Sequence, residues 1–172
     1  MRNRIVLVII SISFIAISLM MIYSKEKILT EGAVIELETQ PVDPRDLLRG
    51  DYVILNYKIN NVDLHKGFGV TAPGREAFVQ LERKDKYWEV KNVLPSRKPD
   101  MGIFIKGIVK NTSGRVEYGI ESYFVPEGKG KKIEQFIRSR NKEKITVEVA
   151  VDKNGKAVIK GLLLNGKPYS FK

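Results

Sequence analysis

No cysteine occurs in the 172 residues, and that one absence removes four possibilities together: a disulfide scaffold, a thiolate metal site, a cysteine nucleophile and a lipidated cysteine anchor. The fold must therefore stand on packing. Histidine is nearly as scarce: His65 is the single copy, with no second histidine at ligand spacing, so the sequence offers no imidazole metal centre. Also missing are an internal repeat, a low-complexity tract and the G-x-x-x-x-G-K-[ST] phosphate loop. The nearest approach to that loop, Glu127-Gly128-Lys129-Gly130-Lys131-Lys132, reads first as a plain turn before a helix. Neither a cofactor nor a metal is expected.

What is present is a basic, foldable chain, with 30 Lys and Arg against 20 Asp and Glu and 43% hydrophobic residues. A net charge of +10 prompts the question of nucleic acid, but topology answers it first. Ile5 to Tyr23 reads IVLVIISISFIAISLMMIY, nineteen uncharged residues, enough at ~1.5 Å per residue to cross a hydrocarbon core of ~30 Å. Arg2 and Arg4 precede the run, while Lys25, Glu26 and Lys27 follow it, a bias that favours a cytoplasmic N-terminus. A cleaved signal peptide is the competing reading. Cleavage after Ala16-x-Ser18 leaves a short signal and strands Leu19, Met20 and Met21 at the new terminus, so the anchor is preferred.

The expected organisation is a transmembrane anchor over 1–23 with a short cytoplasmic start, a polar spacer over 24–32, and an extracytoplasmic domain over 33–172. The expected topology is single-pass in the cytoplasmic membrane, with the N-terminus inside. Lipid then becomes the natural partner of the N-terminal helix, and no nucleic acid is expected.

Beyond the spacer the apolar residues alternate. Ile35, Leu37 and Thr39 share one face of a first strand, and Val53, Leu55, Tyr57 and Ile59 share one face of a second, Tyr52 to Ile59, whose apolar character on both sides suggests a central position. Asn60 to Pro73 reads as a loop. Ala77 to Arg83 and Tyr87 to Val93 form a hairpin about Lys84-Asp85-Lys86, followed by a strand over Ile103 to Lys110 and a turn at Asn111 to Gly114. One soluble helix is expected over Lys131 to Arg140, where Ile133, Phe136 and Ile137 fall on one face. Ile145 to Val151 and Ala157 to Leu164 make a last hairpin about Asn154-Gly155, and Asn165-Gly166 leads to a short strand around Tyr169 to Phe171. Eight or nine strands without helix alternation predict a mainly β domain: an antiparallel sandwich or partly open barrel with one packed helix.

Gly50-Asp51-Tyr52-Val53-Ile54-Leu55-Asn56-Tyr57 matches the pattern GDYxxLxY letter for letter. Its lead-in, Asp43-Pro44-Arg45-Asp46-Leu47-Leu48-Arg49, and a second segment, Tyr118 to Gly128 with Glu134 after it, complete a resemblance to the GDYXXLXY family of bacterial proteins. The resemblance implies a membrane-anchored protein of unassigned activity. Its members often accompany multi-pass membrane proteins, which implies a partner of that kind. On the residues alone, Asp43 suits a helix cap, Pro44 the first helical position and Gly50 a turn into the strand, making the signature a structural corner. The functional alternative treats Asp43, Arg45, Asp46, Arg49, Gly50, Asp51, Tyr52, Leu55 and Tyr57, with Glu121, Tyr123 and Glu127, as a binding surface.

Enzyme chemistry is weaker. Arg49-Gly50-Asp51-Tyr52-Val53 resembles the segment entering a strand in signal peptidases, outward-facing membrane proteases with a serine and lysine pair. Where that family places its serine, however, this chain has Val42, and Ser96, Ser113 and Ser122 stand in no recognisable frame. Glu121, Glu127 and Glu134 would suit a hard cation only if strand, turn and helix brought them together. Tyr118, Tyr123 and Phe124 read as core before groove. The sequence thus favours an accessory or binding protein acting with a membrane-protein partner or envelope polymer, over an outward-facing hydrolase.

Overall fold

The computed structural model describes residues 2–40, 52–63, 72–125 and 145–169. The first element is a single helix, α1, Arg2–Glu31. Ser24 to Glu31, expected as a spacer, continues it without a break. The reason is local: no proline or glycine interrupts the stretch, and Lys27 and Glu31 pair one turn apart at 3.8 Å. Gly32 then ends the helix, its N–H donating to the Ile28 carbonyl at 2.9 Å. A Cβ at Gly32 would lie 2.4 Å from that carbonyl oxygen and 3.1 Å from the Val151 backbone nitrogen, so only glycine lets the chain pass this close to the sheet. Ile28 is 9% exposed, whereas Phe14 in the apolar run is 72% exposed. The last turns of α1 thus pack on the domain while the apolar section is left bare.

Among the described residues the domain is mainly β and antiparallel, and its sheets form no closed barrel. One sheet has the order β1-β8-β9-β10, built from Ala33–Glu38, Ile145–Val151, Ala157–Leu164 and Lys167–Pro168. A second has the order β4-β3-β5-β6, from Tyr87–Leu94, Glu76–Lys84, Phe104–Val109 and Val116–Glu117. Between their buried faces lies one apolar core. Ile35, Leu37, Val147 and Val149 come from the first sheet, and Ala77, Val79, Ile105 and Val109 from the second. The Lys106 N–H donates to the Gly155 carbonyl across the two sheets, and Lys86 pairs with Glu36 at 3.2 Å. The arrangement is a sandwich.

A two-stranded ribbon completes the domain: β2, Tyr52–Ile54, paired with β7, Ser122–Phe124. The expected hairpins are present, with Lys84 opposite Tyr87 across Asp85-Lys86, and Val151 opposite Ala157 across the Asn154-Gly155 turn. Asn165 and Gly166 both take positive φ, 50° and 80°, which turns β9 directly into β10. That places the last described strand at Lys167–Pro168, just before the expected Tyr169.

The second strand differs from expectation. Pairing stops at Ile54, and the chain passes through an isolated bridge at Tyr57 into a single 3-10 turn at Lys58–Asn60. Val53, Leu55, Tyr57 and Ile59 are nonetheless all buried. The alternation was real; the ladder was not, because the Asn60 side chain takes the Tyr57 N–H that a neighbouring strand would need. The helix expected over Lys131 to Arg140 lies outside the described residues.

Candidate functional site

Two stretches of the signature converge, although some sixty residues separate them in the chain. Asn60 is fully buried, and its carbonyl oxygen accepts from the Tyr57 N–H. Its amide donates to the Val116 carbonyl at 2.8 Å and to Glu121 Oε1 at 3.0 Å. Glu121 Oε1 also accepts from the Tyr118 N–H at 2.7 Å, and Oε2 from the Gly119 N–H at 2.9 Å. The carboxylate therefore holds three donors of the chain itself. Its backbone joins in, since the Glu121 carbonyl accepts from the Leu55 N–H at 2.8 Å.

Two tyrosines cross over this knot in opposite senses. The Tyr57 hydroxyl donates to the Ile120 carbonyl at 2.7 Å, and the Tyr118 hydroxyl donates to the Ile59 carbonyl. Burial, and after it the negative charge of Glu121, pushes both hydroxyls well above the usual tyrosine range. Both rings are neutral donors at any physiological pH. Groups so paired have their hydrogen-bonding capacity directed inward, which makes the knot a clamp between the two halves of the signature.

The structure thus brings together Leu55, Tyr57 and Glu121 of the expected binding residues, along with Asn60 and Tyr118. Leu55 is 5% exposed and Tyr57 0%, so both face the core. Tyr123 is half-buried on β7 opposite Val53, with its hydroxyl raised by burial. Tyr52 supplies the first backbone position of β2, opposite Phe124. Asp43, Arg45, Asp46, Arg49, Gly50, Asp51 and Glu127 lie outside the described residues. Ser96, Ser113 and Ser122 are all exposed.

Two neighbours of the clamp escaped the sequence reading. Asn56 Oδ1 is buried without a hydrogen-bond partner among the described residues, inside the signature itself. Phe124, read as core, is 77% exposed at the end of the ribbon, and outside α1 it is the most exposed of the large apolar side chains described. Its place in the motif gave a signal, because Tyr123 and Phe124 are adjacent strand residues and only one of them can face inward.

Searches among characterised proteins and among solved structures find no match to the chain. A family profile, described as GDYXXLXY protein, matches residues 14–162, from within the apolar run to the penultimate described strand. The profile spans both stretches that the clamp ties together, and the chain belongs to the GDYXXLXY protein family.

Proposed function

We propose that this is a membrane-anchored extracytoplasmic accessory protein, which binds a membrane-protein partner or an envelope polymer through the outer end of the β2–β7 ribbon. The observation that carries the reading is the unbroken α1: a bare apolar helix long enough to cross a membrane enters a folded domain with no flexible joint. An apolar surface of that length is costly in water and stable in lipid. The domain is then held against the bilayer, where tethering raises its effective concentration toward membrane targets.

Phe124 is the favoured contact, since exposed aromatic side chains recur as anchors of interfaces. Leu55, Tyr57 and Glu121 hold the ribbon in place and do not themselves meet the partner.

The test is crosslinking of the full-length protein in native membranes, with Phe124→Asp as comparison. One dominant crosslinked partner, lost in the variant while the domain stays folded, is the expected result. A protein that crosslinks to nothing yet reacts with a serine-directed probe contradicts the accessory reading and favours the hydrolase.

A further inference from the structure

Where α1 meets the domain, a cavity of about 690 Å³ opens between the last turns of the helix, the loop after β4 and the β8–β9 turn. We propose that it is a binding site for the phosphate headgroup of an anionic phospholipid. The inference rests on the reading of α1 as a membrane span.

Charge is the first argument. Five cationic side chains line the cavity against three carboxylates. Glu31 pairs with Lys27 at 3.8 Å, and Asp152 Oδ1 accepts from the Asn154 and Lys156 N–H groups at 2.8 Å each; with Asp100, the third carboxylate, counted at full charge, cations still outnumber carboxylates in the lining. Arg97, Lys98, Lys153 and Lys156 form no ion pair among the described residues, although six ion pairs involve lysines elsewhere. Four cations gathered around one space with their charge unspent fit a phosphodiester.

Position is the second. Tyr23 and Ser24, at the end of the apolar run, line the same cavity as Glu31 and Gly32. Eight residues of helix rise about 12 Å, so the cavity extends from the edge of the hydrocarbon through the headgroup layer. Tyrosine is favoured at that boundary. A lipid headgroup enters from the side while its acyl chains stay in the bilayer alongside α1.

The walls are also built. Met101 is 5% exposed; its sulfur accepts from the Lys98 N–H at 3.2 Å and its carbonyl from the Gln80 amide at 2.7 Å. The Arg97 guanidinium lies over the Phe104 ring at 5.7 Å. The loop that carries two of the cations is thereby fixed to the second sheet, and the turn that carries the other two belongs to the first.

The experiment reconstitutes full-length protein in phosphatidylcholine nanodiscs containing a minor fraction of phosphatidylglycerol, and identifies retained lipid by native mass spectrometry. Phosphatidylglycerol should be enriched on the order of tenfold over its bulk fraction. Enrichment should vanish in the combined variant Arg97→Gln, Lys98→Gln, Lys153→Gln, Lys156→Gln. It should persist when Lys84, Lys91, Lys110 and Lys167, none of which lines the cavity, are changed to Gln instead. Equal enrichment in both variants, or none in the wild type, overturns the site. Should the fourfold variant unfold, the pair Lys153→Gln, Lys156→Gln decides by the same readout. Displacement of the lipid by millimolar inorganic phosphate reassigns the cavity to free phosphate and likewise overturns the proposal. An alkaline carbonate wash separates the two readings. A protein that stays in the membrane but shows no preference loses only the headgroup site, whereas a protein that washes off loses the anchor as well.

Discussion

The clamp around Glu121 and the collar around α1 sit at opposite ends of β1 and treat charge in opposite ways. In the clamp every hydrogen bond of the carboxylate is spent on the chain itself, on Asn60 and on the Tyr118 and Gly119 N–H groups. In the collar four cations are held in a shaped space with no ion-pair partner among the described residues. Buried, hydrogen-bonded groups hold a fold together, whereas exposed cations without an ion pair stay available to a ligand. Mutations at the clamp should therefore read out as stability, and mutations at the collar as binding.

The largest effect is expected at Asn60. Asn60→Ala leaves the Tyr57 N–H and the Val116 carbonyl unpaired in the core and removes one donor from Glu121, a loss of about 3 kcal/mol. Urea unfolding followed through Trp88 fluorescence measures it. A loss under about 1 kcal/mol means that the clamp is not the structural centre of the signature.

Gly32→Ala comes next. The added Cβ meets three backbone atoms, Ile28 O on the helix and Val151 N and O on β8, so the helix must tilt off β8. About 1–3 kcal/mol is expected. Faster hydrogen exchange at Ile28 to Ala33, with β3 and β5 unaffected, is the signature of a local change.

The tyrosines sharpen the comparison through pH. Both folded-state hydroxyls titrate above their unfolded value of about 10, so their contribution is fully present below pH ~10 and declines as pH rises further, because only the unfolded chain then releases the protons. Each site adds a slope of about 1 kcal/mol per pH unit in that window. The double variant Tyr57→Phe, Tyr118→Phe should flatten it, at the expense of some stability at neutral pH. Below pH 9 neither hydroxyl should affect the pH dependence.

The smallest stability effect belongs to the collar. Lys153→Gln with Lys156→Gln should change unfolding free energy by no more than about 0.5 kcal/mol, because both side chains are exposed and form no ion pair among the described residues. A loss several times larger places these lysines in the fold and blurs the distinction between the two ends.

The same contrast shows what the sequence made legible. Local patterns were readable: the alternation of Ile35 and Leu37, the β3–β4 and β8–β9 hairpins, and the Asn165-Gly166 turn all rest on neighbours in the chain. The end of the second strand was not, because it depends on Asn60 turning back to Tyr57 while reaching Val116 and Glu121 some sixty residues away. A polar residue closing an apolar alternation was the only local trace. The spacer over 24–32 rests on polarity alone, and polarity does not show that α1 continues through it to Glu31 and buries Ile28, which depends on the helix-forming residues and on contact with the domain. The collar left no motif at all: Arg97-Lys98 and Lys153 with Lys156 are ordinary basic pairs until α1 and the two sheets enclose them. Its nearest trace was Pro95 to Asp100, which interrupts the strands and carries the first pair.

Everything proposed depends on the apolar section of α1 lying in the membrane with the domain beyond its outer face. The absence of native cysteine makes this directly measurable, because any introduced thiol is unique. In intact spheroplasts, a membrane-impermeant maleimide should label Ser96→Cys in the exposed loop after β4 and leave Ser11→Cys, in the middle of the run, unreacted. Labelling of Ser96→Cys only after the membrane is permeabilised, or ready labelling of Ser11→Cys, contradicts the account.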